Sequence, residues 1–131
     1  DTVLIVCTPE PTSITDAYGA IKAITRAAPE TDLRLVVNMV ANDAEGTAVH
    51  RRIQRVAHEH LGVDVALAGS VPFDFAVRKA VKKRQLVLAD APRSRAARAI
   101  RTIGRGFNDL LPNDEKSSQR GGFLQRLLRS H

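Results

Sequence analysis

Three short runs of apolar, largely β-branched residues, each followed by a stretch with helical spacing, constrain what this chain can fold into. Val3-Leu4-Ile5-Val6-Cys7 is the first and Leu33-Arg34-Leu35-Val36-Val37-Asn38-Met39-Val40 the second. The third spans residues 63–69, with Val63, Val65, Leu67 and Gly69 alternating. Runs without a polar side read as strands buried on both faces, the situation of a parallel sheet. Between them, Ile14, Ala17, Ile21 and Ile24 recur at helical spacing behind a Thr12 or Ser13 cap, and the pattern stops near Pro29. Val49, Ile53, Val56, Ala57 and Leu61 do the same between a loop at 42–46 and a stop at Gly62. Strands alternating with helices of this length predict βαβ units and an α/β fold.

Beyond the third strand, Val71-Pro72-Phe73-Asp74 reads as a turn into a short helix through Lys83, and Leu86-Val87-Leu88 is too short to assign. After Pro92 a helix to about Leu111 is expected, with Ala96, Ala99, Ile100, Ile103, Phe107 and Leu110 inward. Three strands make a thin sheet, and a first strand apolar on both sides calls for neighbours. The chain begins at Asp1, directly before that strand and without Met. It therefore reads as a piece of a longer protein whose N-terminal half supplies those neighbours.

Composition narrows the function classes. Aromatic residues make up 4% of the 131 residues and Trp is absent, so the core must be built from Val, Leu, Ile and Ala. The single cysteine, Cys7, rules out an internal disulfide framework and reads as a small buried hydrophobe. The four histidines, His50, His58, His60 and His131, show no metal-ligand spacing with it, so no metal site is expected. No run approaches the roughly 18–20 apolar residues needed to cross a bilayer. The net charge of +6 hides an asymmetry: residues 1–75 hold 6 Lys/Arg against 10 Asp/Glu, and residues 76–131 hold 14 against 4. A basic second half points to an anionic partner, whether membrane surface, nucleic acid or acidic protein, although a solvated helix face also accounts for much of 93–105.

The runs VLIVCTPEPTSITDAYGAIK (3–22), RLVVNMV (34–40), LGVDVALAGSVPFDFAVRKAVKKRQLVL (61–88) and PRSRAARAI (92–100) resemble, in order and spacing, the MinD/ParA class of P-loop ATPases. Within it they are most similar to the FlhG family, also called FleN or YlxH. TPEPTSITDAY is the segment most specific to that family; the Asn and VPxD elements belong to the whole class. The likeness implies the C-terminal half (1–111) of a MinD-like domain with a parallel sheet and flanking helices. It also implies ATP and Mg²⁺ as cofactors and a nucleotide-sandwiched homodimer. No GKGGxGKT-like or DxPAG run is present, so the phosphate and Mg²⁺ ligands would lie in the other half, and no catalytic residue is assigned here.

By the same resemblance Asn38 contacts the base, and the turn at Val71, Pro72 and Asp74 wraps base and ribose, mostly through backbone groups. Asn38 stands where open α/β sheets bind ligands, at the C-terminal end of a strand. Its position equally suits a cap for the following loop, and Asp74 equally suits a cap for the helix after it. Phe73 receives no role. Glu10 and Asp16 are placed on a dimer or partner face.

Residues 112–120 are polar and read as a flexible linker. In 121–131, Phe123, Leu124, Leu127 and Leu128 fall in one sector of about 140° on a helical projection, with Arg126 and Arg129 opposite. The pattern resembles the membrane-targeting sequence of MinD and predicts a weak amphipathic anchor for an anionic membrane, strengthened when two copies are joined. The implied function is a regulator of flagellar placement or number, cycling between a cytoplasmic monomer and an ATP dimer on the inner face of the cell membrane. An FlhF-like GTPase and flagellar basal-body proteins are the implied partners. The competing reading is a chromosome or plasmid partition ATPase whose basic helix binds DNA; nucleic acid is the less expected partner.

Overall fold

The structure, a computed structural model, describes residues 1–110; the predicted linker and anchor lie outside the described residues. The elements follow the order β1 (Thr2–Cys7), α1 (Pro11–Ala27), β2 (Asp32–Val40), α2 (Asp43–Leu61), β3 (Val65–Pro72), α3 (Phe75–Lys82), α4 (Val87–Asp90) and α5 (Arg95–Asn108). All strand pairs are parallel, in the order β1-β2-β3. The α/β expectation is met. Because crossovers between parallel strands keep one hand, two successive steps in the same direction put α1 and α2 on the same face.

On that face Ile5, Cys7, Leu33, Leu35 and Val37 of the sheet pack against Ala17, Ile21, Val49, Ile53 and Ala57 of the helices. Ile21, Leu35 and Ile53 are almost wholly removed from water, each worth about 1.5–3 kcal/mol. Cys7 is buried here as expected, and burial pushes its thiol pKa up. The opposite face holds a smaller core in which Val36 and Val71 meet Ala96, with Ala99, Ile100 and Ile103 of α5 packed against them. Gly69 makes that packing possible: its φ of 154° is one that side chains rarely adopt, and a Cβ there would stand 2.6 Å from Ile103 Cγ1.

Several boundaries differ from the sequence reading. α1 starts at Pro11, not behind Thr12 or Ser13, because Pro at the first helical position has its φ already set. Ser13 instead lies inside the helix, where its hydroxyl accepts from the Thr8 N–H at 2.9 Å. β3 runs from Val65 to Pro72 rather than over 63–69, so the first half of the expected VPFD turn is strand. Val56 and Leu110, expected inward, are exposed. Val87–Asp90 forms a single helical turn. α2 is capped by Asn42, whose Oδ1 accepts from the Glu45 N–H, and ends at the left-handed Gly62 as the sequence indicated.

Candidate functional site

At the C-terminal ends of β2 and β3 the ladder is irregular. Asn38 pairs with Val71 and Val40 with Pro72, so Met39 is an extra residue in β2. Its φ is +60°, unusual for a residue with a long side chain, and it is half exposed. Bulges of this kind turn side chains out of the pleat, often beside a binding site. Here the bulge leaves room at the strand end: a cavity of about 360 Å³ is walled by Asn38, Met39, Pro72, Phe73, Asp74 and the inner side of α3. This is the position at which open parallel sheets take ligands, and the volume lies in the range of small-molecule sites.

The half-buried Asn38 accepts from the Met39 N–H through Oδ1 at 2.9 Å, which holds the side chain in place. Its amide nitrogen donates to no described residue and remains available to a ligand acceptor. Thus the residue does cap locally, with its oxygen, and keeps its donor free. Phe73 and Phe75 meet edge to face, with centroids 5.2 Å apart, and both are exposed. Val77 and Val81 continue the apolar wall, and Arg78 and Lys82 supply positive charge along it.

Asp74 is occupied with the fold. Its Oδ1 accepts from the Ala76 N–H at 2.9 Å, capping α3, and its Oδ2 accepts from the Ala96 N–H at 3.0 Å, in the first turn of α5. These backbone donors, Ala96 foremost, hold its carboxyl below the usual range. The cap suggested by the sequence is present, and the bond to α5 adds a tie across 22 residues that no local pattern signals.

The structure brings Asn38, Pro72 and Asp74 together around the cavity. Val71 does not line it; the side chain is buried in the α5-side core. Glu10 and Asp16 are exposed at the start of α1 and line no part of the cavity. Glu10 occupies the N-cap position, but its side chain makes no capping bond. Sequence reasoning missed Met39, Phe73, Val77, Arg78, Val81 and Lys82. A clue to the aromatic wall existed: two of the four Phe of an aromatic-poor chain stand two residues apart in FDF. No residue-type signal marks the Met39 bulge.

No family model matches the chain. It is 39% identical over 101 residues to the antiactivator FleN of Pseudomonas aeruginosa, covering 77% of this chain and 36% of FleN. It is 33% identical over 104 residues to the flagellum site-determining protein YlxH of Helicobacter pylori, covering 79% of this chain and 35% of YlxH. The chain therefore spans about a third of the length of these curated relatives. Among solved structures, the cell division ATPase MinD of Pyrococcus furiosus superposes with a TM-score of 0.66, over 84% of this chain and 43% of MinD. At 18% identity that likeness speaks for the fold alone. In sequence the chain is related to FleN and YlxH over more than three quarters of its own length, and in fold it is similar to MinD.

Proposed function

We propose that this chain supplies the base-recognition half of an ATP-binding regulator of flagellar placement or number. The observation that carries the reading is the cavity at the β2 and β3 ends, where the free Asn38 amide faces a pocket with apolar walls and a cationic rim. An amide donor beside flat apolar surface suits the edge and face of a purine, and Arg78 and Lys82 suit the charge of the attached phosphates. The relation to YlxH, a flagellum site-determining protein, supplies the flagellar context.

In the proposed cycle ATP and Mg²⁺ join two copies of the protein, with Glu10 and Asp16 on a dimer or partner face. Residues 121–131 then hold the dimer on an anionic membrane by avidity. An FlhF-like GTPase and basal-body proteins are the proposed partners. Among the described residues no helix is long and apolar enough to cross a membrane, so contact through a peripheral anchor is the form proposed.

The test is ATP binding by the full-length protein carrying Asn38→Asp. The aspartate keeps an oxygen for the Met39 N–H but loses the amide donor. Affinity for ATP should fall about tenfold, the equivalent of one good hydrogen bond to a buried acceptor. Affinity equal to that of the parent would remove Asn38 from base recognition.

A further inference from the structure

We propose that Phe73 is the stacking residue of the cavity at the β2 and β3 ends, laying its ring on the base of the bound nucleotide. The role rests on the nucleotide reading of that cavity. It gives to a side chain of this particular sequence a contact that the resemblance left mainly to backbone groups.

Phe73 stands in the cavity wall with Asn38 and Met39, whereas Phe75 does not. Water is a poor environment for an aromatic ring, yet Phe73 is 41% and Phe75 63% exposed. Phe107, by contrast, is half-buried, with the Arg34 guanidinium 6.0 Å from its ring centre. The planes of Phe73 and Phe75 meet at 84°. In such an edge-to-face contact Phe75 covers at most one face of the Phe73 ring, so another is left for a flat ligand. The backbone that carries the ring is fixed on both sides. The Phe73 N–H donates to the Val40 carbonyl at 2.9 Å, and Pro72 before it has its φ set by the pyrrolidine ring. Asp74 after it is tied to the Ala76 and Ala96 N–H groups. Phe73 is thus placed before a ligand arrives, which lowers the ordering cost of binding. Edge and face of the base are then met by different elements, Asn38 near the end of β2 and Phe73 just beyond β3. The stack accepts any base, because every base has a π-face, and the Asn38 amide supplies the directional contact.

The test measures ATP binding by the full-length protein and its variants. Phe73→Ala should weaken ATP binding about tenfold, and Phe73→Trp should recover most of that loss. Phe73→Leu keeps apolar bulk without a π-face; it should stay several-fold weaker than the parent and serves if the alanine variant does not fold. In Phe73→Trp the added indole emission should fall with ATP and stay constant with tripolyphosphate, which carries no base. ATP binding by Phe73→Leu equal to that of the parent would overturn the stacking role. Indole emission that ATP leaves unchanged would overturn it as well. Asn38→Asp, measured alongside, separates the two ways of failing. If it weakens ATP binding and Phe73→Leu does not, the stacking role alone falls; if neither variant weakens binding, the nucleotide reading of the cavity falls with it. Weakening by Phe73→Leu alone would keep the stack and remove only Asn38.

Discussion

Along β3, the strand at one side of the sheet, the backbone is closed in by its neighbours. Gln54 of α2 accepts from the Val65 N–H at 2.6 Å, His50 bonds the Val65 carbonyl at 2.7 Å, and α5 lies against Gly69. Along β1, at the other side, only one face is covered. Ile5 and Cys7 are buried under α1, while Leu4 and Val6 are 40% and 58% exposed on the face that α5 leaves open. An outer strand with apolar residues on its bare face invites pairing, and soluble proteins blunt such strands with charge, Pro or a cover. β1 carries none of these between Val3 and Cys7. β3 is thus finished by this chain itself, whereas β1 has the character of an interior strand.

That contrast can be broken most forcefully at Val6. In the full-length protein, Val6→Asp should cost about 3 kcal/mol or more by chemical denaturation, because the carboxylate would be buried without a partner. Val56→Asp, at a residue exposed on α2, should change stability by no more than about 0.5 kcal/mol. Equal effects would mean that β1's open face stays in water. A smaller effect is expected from Asp74→Ala, which removes the cap of α3 and the tie to the Ala96 N–H of α5 and should cost about 1–2 kcal/mol in the same assay. The Asp74 carboxyl is held low, so its contribution is fully present above the ordinary carboxylate range and is lost as the pH falls through its lowered value. The variant should accordingly show a shallower loss of stability on the acid side. Gln54→Ala on the closed side should cost about 1 kcal/mol for the unpaired Val65 N–H. A loss well above that would make α2 the main support of β3.

The parts of this architecture visible in the sequence are those set by local pattern. The apolar runs gave three parallel strands, and Gly62 ended α2 because the left-handed cap there suits glycine. The unpaired character of β1 followed from VLIVC having no polar side. What local pattern did not carry was long-range or backbone-driven. Ser13 and Thr12 resemble caps in sequence, yet Pro11 decides where α1 begins. The Asp74 bond to Ala96 joins residues 22 positions apart. The Met39 bulge is imposed by the offset between β2 and β3, not by any preference of methionine for a positive φ. Within the candidate site, therefore, Asn38, Pro72 and Asp74 were readable from the resemblance, and the wall that shapes the cavity was not.

Amide hydrogen exchange of the full-length protein with and without ATP tests the central claim most directly, since it reads both sides of the sheet in one experiment. ATP should slow exchange at residues 38–40 and 73–78, while Leu4 to Val6 should be protected before nucleotide is added. ATP bound with exchange at 38–40 and 73–78 unchanged would contradict that claim.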